Sequence, residues 1–279
     1  MFAEVGFRLA GGDNPLILIP ASVADRGPYE FILDTGAGIS LLSPRLADEF
    51  GLVATGSKQG TGAAGKVTVA LASVASLAVG QARRAPMSIA ITAEMDRVGA
   101  AVGERIDGDI GYDFLKDFRL TVDYRKRIVR LAQGAVDVVG LARAGHSEVA
   151  FRLAAPTKPL VMIPAFVNGR GPCAFVLDTG ASATVLSPSL ADSLGVGRAE
   201  RVPMTGAGGM LQATVGRVTS LGVGAAVLDD VAVVISDLVE HIGQAVGTKV
   251  DGVLGYNFLR RFRVTIDYPN SVLWLDPES

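Results

Sequence analysis

Histidine, cysteine and tryptophan are nearly missing from this chain, with two, one and one among 279 residues. A single thiol, Cys173, cannot form an internal disulfide, so cysteine usage leaves the redox compartment open. Cys173 reads as a buried structural thiol. His146 and His241 lie in unlike contexts, with no acidic or cysteine partner at metal-ligand spacing. No metal and no cofactor are therefore expected. Charge of one sign is lacking too. Against 28 Asp and Glu stand 26 Lys and Arg, which provides no basic field for nucleic acid and no like-charge run to mark a tail. Charged residues make up 19% and apolar ones 49%, a balance that excludes a disordered chain. The longest uncharged stretch, 67–82, is valine-rich and broken by Thr, Ser and Gly. It reads as strand, so no membrane span is expected. Met1-Phe2-Ala3-Glu4-Val5 lacks the basic and apolar regions of an export signal. The expected location is cytoplasmic, or periplasmic where a leader has been removed.

What the chain does have is a strict internal repeat. Asp34 and Asp178, Asp107 and Asp251, and Asp123 and Asp267 are each 144 residues apart. No net insertion is needed between these anchors. The run from Glu4 to Leu9 answers the run from Glu148 to Leu153. A period this long is a duplicated domain rather than a solenoid. We divide the chain into an N-terminal lobe over 1–134, a Gly- and Ala-containing connector over 135–145, and a C-terminal lobe over 146–279. Residues 135–141 could also form a strand.

Each half is mostly β by pattern, with Val-, Ile- and Leu-rich segments separated by Gly, Pro and Asn turns. Short helices interrupt it. Ser43-Pro44 and Ser187-Pro188 place a cap and a first-turn proline before an apolar stripe that ends at Gly51 and Gly195. A second short helix is expected over 112–118 and 256–262. A hairpin closes each half, turning at Arg125-Lys126 and at Pro269-Asn270. Glycine-rich tips occupy the middle, around Thr61-Gly62-Ala63 and Thr205-Gly206-Ala207. The first fits G-x-G-x-x-G, but no apolar strand precedes it and no acidic residue follows at the required distance. Two hairpin tips are the better reading.

The chemistry lies in Phe31-Ile32-Leu33-Asp34-Thr35-Gly36-Ala37 and Phe175-Val176-Leu177-Asp178-Thr179-Gly180-Ala181. In each, a short apolar run, read as a buried strand, ends on a carboxylate. An acid there is costly unless paired or hydrogen-bonded. The following threonine supplies a hydroxyl, and the glycine lets backbone close around the carboxylate. Two such turns in matched surroundings suggest two carboxylates that meet.

These motifs, with the capped helices, the glycine-rich tips and Asp-Gly-x-x-Gly-Tyr-x-Phe-Leu at Asp107 and Asp251, resemble the aspartic peptidases of the pepsin and retropepsin clan. Gly255-Tyr256-Asn257-Phe258-Leu259 with Val264-Thr265-Ile266-Asp267-Tyr268 most resembles bacterial retropepsin-like proteins. The resemblance covers nearly the whole chain, twice. It implies an acid-protease fold, mostly β, of two pseudo-symmetric retropepsin-like barrel lobes with short helices and a cleft between them. It implies an aspartic endopeptidase whose catalytic pair is Asp34 and Asp178, sharing one proton and activating a water without metal or covalent nucleophile. Thr35 and Thr179 match the threonines that brace the active-site loops, and Gly36 and Gly180 match the glycines facing the carboxylates. The tips, with Thr61, Gly62, Ala63, Thr205, Gly206 and Ala207, match two flaps over a peptide substrate, and neither carries a tyrosine. Because both lobes share one chain, a monomer is expected.

Both motifs continue with Ala, where pepsins carry Ser or Thr, so each carboxylate lacks a hydroxyl donor. That loss should raise the pair's apparent pKa values. A second departure breaks the symmetry. The family places an apolar residue two positions before the glycine of the late motif. Val253 obeys, whereas the first half has Asp109. Asp109 is either a harmless exposed acid or a charged subsite wall, which would raise the pair's values further and favour basic substrate side chains. Asp107, Asp251, Asp123 and Asp267 read as structural turn and hairpin residues. The rival function is a silent peptide-binding protein on the same fold. Phosphoaspartate chemistry is disfavoured by the duplication and by the lack of D-x-D-x-T.

Overall fold

The computed structural model describes residues 1–62, 65–134, 147–206 and 208–277. Strands dominate, forming three sheets. One is built entirely from the first half, between Arg8 and Ile110, and one from the second, between Arg152 and Leu254. The third has six strands and joins the halves. Phe2–Gly6, Ile128–Ala132 and Arg119–Asp123 lead across to Phe262–Asp267, Val272–Pro277 and Ser147–Ala150. This is the expected two-lobe, retropepsin-like architecture, with curled sheets and a main apolar cluster that runs through both halves.

The shared sheet contains the pseudo-two-fold relation. Arg119–Asp123 runs antiparallel to Phe262–Asp267 with Thr121 opposite Thr265, and their hydroxyl oxygens lie 3.0 Å apart. Beside them, Arg119 and Asp267 form a buried ion pair across the halves at 2.8 Å. The flanking residues Leu120, Val122, Val264 and Ile266 are fully buried, giving the junction an apolar core. The hairpin acids behave as expected. Asp123 Oδ1 accepts from the Lys126 amide at 2.8 Å, and Asp267 Oδ1 from the Asn270 amide at 3.1 Å. Asp107 and Asp251 are likewise structural, accepting from the amides of Glu30 at 3.0 Å and Ala174 at 2.9 Å.

Six short helices punctuate the sheets: α1 (Pro44–Glu49), α2 (Glu94–Val102), α3 (Tyr112–Leu115), α4 (Pro188–Ser193), α5 (Leu238–Val246) and α6 (Tyr256–Leu259). The capped pair α1 and α4 starts as the sequence predicts. Ser43 and Ser187 accept from the amides of Leu46 at 3.2 Å and Leu190 at 3.1 Å. Helices α3 and α6 are shorter than expected, because the chain is already needed as strand at Arg119 and Phe262. Helices α2 and α5 were not expected at all. The connector over 135–145, the strand considered at 135–141, and His146 lie outside the described residues. Among the described residues, no helix is long and apolar enough to cross a membrane.

Candidate active site

Both aspartates stand at the ends of buried strands, Arg26–Leu33 and Arg170–Leu177. Each strand pairs in parallel with a three-residue strand from later in its half. Gly108–Ile110 lies beside Phe31–Leu33, and Gly252–Leu254 beside Phe175–Leu177. That pairing anchors the turn: the Asp34 amide donates to Ile110 O and the Asp178 amide to Leu254 O, each at 3.1 Å. The glycine amides then close on the acids. Gly36 N–H donates to Asp34 Oδ1 at 2.7 Å and Gly180 N–H to Asp178 Oδ1 at 2.8 Å.

The two turns lock together across the halves. The Thr35 amide donates to Thr179 Oγ1 at 3.1 Å, and the Thr179 amide to Thr35 Oγ1 at 3.0 Å. Each hydroxyl passes its own proton onward, Thr35 to Leu177 O at 3.1 Å and Thr179 to Leu33 O at 2.7 Å. Both threonines are 1% exposed, so water cannot replace these four bonds. Each glycine lies directly on the opposite acid. A methyl group at Gly36 would be 2.5 Å from Asp178 Oδ2, and one at Gly180 would be 2.6 Å from Asp34 Cγ. The two Asp-Thr-Gly turns are thereby brought face to face.

Electrostatics follow from that closeness. Burial pushes the Asp178 carboxyl well above the usual carboxylate range, and the charge of Asp34 and a hydrogen bond with it push the same way. The Gly180 and Ala181 amides oppose this. Two adjacent carboxyls cannot both ionise cheaply, so ionisation of Asp178 is opposed by Asp34 beside it.

A profile of the aspartyl protease family matches this chain twice, over residues 19–114 and 163–258. The chain belongs to the aspartyl protease family. Each match encloses one Asp-Thr-Gly turn and runs through the Gly-Tyr-x-Phe of its later block, so the family pattern is present in tandem. No curated protein matches the chain.

Around this family core, the two tips are hairpins as expected. Gly56–Gly62 pairs with Gly65–Val74, closing at Gly62 opposite Gly65, and Arg201–Gly206 pairs with Gly209–Val223, closing at Gly206 opposite Gly209. Ala63 and Ala207, with the side chains of Thr61 and Thr205, lie outside the described residues. Asp109 is 2% exposed, which rules out the exposed-acid reading. Its counterpart Val253 is also 2% exposed, packed in an apolar cluster with Met162, Val176 and Val185.

Three features escaped sequence reasoning. The Ser40 amide and hydroxyl both donate to Asp113 Oδ1, at 2.8 and 2.7 Å, while Ser40 Oγ accepts from the Gly111 amide at 3.0 Å. Thr184 and Asn257 repeat the arrangement with two bonds of 2.8 Å. These pairs tie the loop after each aspartate to the later helix of its half, α3 or α6, and the shared spacing to the Gly-Tyr dipeptide could have revealed them. The third is Glu94, 6% exposed at the start of α2. Its Oε2 accepts from the Gly208 amide at the C-terminal tip, 2.9 Å away, and its Oε1 meets Arg97 at 2.8 Å. The residue 144 positions later is Leu238, so no second carboxylate mirrors this tie.

Proposed function

We propose that this protein is an aspartic endopeptidase acting on extended protein segments. The observation that carries the reading is the interlocked pair of Asp-Thr-Gly turns, each glycine packed on the other turn's carboxyl. The ionised member of the Asp34–Asp178 pair takes a proton from a water as that water attacks the peptide carbonyl. The protonated member donates to the carbonyl oxygen and later helps deliver a proton to the leaving nitrogen. An extended substrate exchanges main-chain hydrogen bonds with the hairpin tips, and its alternate side chains enter pockets on either side. Asp109 and Val253 border that cleft on opposite halves. A silent peptide-binding protein would need none of the six-residue Asp-Thr-Gly set, which is complete in both turns.

Incubation with a mixed peptide library, read by mass spectrometry of the cut sites, tests this. Cleavage should be blocked by a hydroxyl-containing transition-state mimic such as pepstatin and unaffected by chelators. No cleavage at any pH from acid to neutral would leave the silent binder as the better reading. Both acids come from one chain, so the protein should act as a monomer, and specific activity should not change on dilution. A steep loss on dilution would refute that.

The Glu94 tie makes a separate expectation. Glu94→Leu, copying Leu238, removes the acceptor for the Gly208 amide without adding bulk. Losing one hydrogen bond should raise KM about 2- to 10-fold, with kcat changed less. Steady-state kinetics with a single peptide would show it, and an unchanged KM would mean that the tip is not held through Glu94 during binding.

A further inference from the structure

Asp109 is a third carboxyl beside the pair. It lies on the strand Gly108–Ile110, opposite Ile32 on one side and Leu41 on the other. Ile32 belongs to an apolar cluster with Leu18, Met95 and Ile106, against which Leu41 packs. Asp109 Oδ1 is fully enclosed and has no hydrogen-bond partner. An ionised carboxylate could not be held this way without a large penalty. A neutral acid can, because its carbonyl-like oxygen tolerates isolation far better than a charge does. Among the described residues, no cation is paired with it. The titratable groups that act on Asp109 are Asp34 first, then Asp178 across the axis, then Asp113 on α3, all acids. Glu94 on α2 is turned to Arg97 and Gly208. Nor do the acids form an ion site: among the described residues, no three such side chains converge to hold a metal.

Ala37 gives this neutral acid a purpose. It removes the hydroxyl that could have donated to the carboxylate of Asp34. Asp109 stands opposite Ile32, two residues before Asp34 on the neighbouring strand, with Asp34 the titratable group that acts on it most. We infer that Asp109 is a positioning residue, a buried neutral carboxylic acid that donates its proton's hydrogen bond to Asp34 and so fixes Asp34 as the base and Asp178 as the acid. The second half has Val253 at this place, so Asp178 receives no matching bond. This inference rests on the proposed endopeptidase reading and adds a fixed direction to its proton traffic. It also reverses the sign expected for a charged subsite wall. Burial first, and then Asp34, push the Asp109 carboxyl well above its usual range, so it adds a donor to the pair rather than a negative charge.

The test compares wild type, Asp109→Asn and Asp109→Val in pH profiles of kcat/KM and in thermal melts. Asp109→Val removes the donor, and the acid limb should move up by about one unit or more. Asp109→Asn keeps an N–H donor and should bring the limb back toward wild type. A limb that moves down in both variants, with loss of any preference for Arg or Lys beside the cut, would show an ionised Asp109 and overturn the inference. An unchanged limb in Asp109→Val would overturn it as well. The melts need no activity. An acid whose folded pKa is raised stabilises fully below its unfolded value, and that stability is lost as pH rises toward the folded value. The melting temperature of Asp109→Asn relative to wild type should therefore climb between about pH 4 and about pH 7. A flat difference would overturn the neutral acid even if the wild type cleaves nothing, an outcome that would separately defeat the endopeptidase reading.

Discussion

Asp34→Asn and Asp178→Asn should each abolish peptide cleavage, by about 10⁴-fold in kcat, while leaving the fold intact. An amide cannot accept the proton of the attacking water, nor hold one for the carbonyl oxygen. The shape is nearly preserved, since the Gly36 and Gly180 amides can still donate to a side-chain oxygen at either position. The Asp178 variant should carry a second signature in its melts. Asp178 has its folded pKa raised by burial and by Asp34, so the wild type loses stability as pH rises above about 4, the unfolded value. Asp178→Asn escapes that loss and should melt higher than wild type at neutral pH, with the gain fading in acid. Kinetics and melts on the same preparations check both halves. Substantial cleavage by either variant would sink the paired-acid mechanism, because neither acid can do the other's work alone.

How much of this was legible in the sequence depended on the range of the interaction concerned. The Asp-Thr-Gly turns, the Ser-Pro caps of α1 and α4 and the closing hairpins are local, and each shows in a few adjacent residues. The duplication made them more informative, because a carboxylate that must meet its own copy predicts an axis. Helices α2 and α5 were missed because their cues are weak. Ala93 and Asp237 fill the cap position without a side-chain bond, and the hydroxyls that do accept from the first helical amides, Thr92 from Glu94 and Ser236 from Leu238, stand one residue earlier. Glu94 and Asp109 could be seen as breaks in the repeat, opposite Leu238 and Val253, but their consequences could not be read. Whether an acid at a cleft wall is a charge or a neutral donor depends on burial and on what lies within reach. Those are properties of packing between strands far apart in the chain. The exposed-acid reading of Asp109 failed on that point, since the strand holding it is covered on both sides by Ile32 and Leu41.

Gly36→Ala and Gly180→Ala should also be damaging, though neither residue transfers a proton. At Gly36 a methyl carbon would sit 2.5 Å from Asp178 Oδ2 and 2.8 Å from Asp178 Oδ1; at Gly180 it would sit 2.8 Å from both oxygens of Asp34. Contacts this short cannot stand, and the threonine bonds behind them leave little slack. Thr35 and Thr179 each take part in three bonds to the opposite half, so the turn carrying the methyl cannot back away cheaply. The opposing carboxyl must move instead, by roughly an ångström, which in a site requiring alignment costs about 10²-fold in rate. Asp34 and Asp178 would also stand further apart, weakening the repulsion that keeps Asp178 protonated, so the alkaline limb of the pH profile should shift down. Gly197→Ala is the control. Nothing lies within 4 Å of the methyl it would add, and its kinetics should match wild type. Kinetics across pH for the three variants decide the matter. If Gly36→Ala cleaved within about twofold of wild type with the same profile, close packing of glycine on carboxyl would not be what sets the pair's geometry.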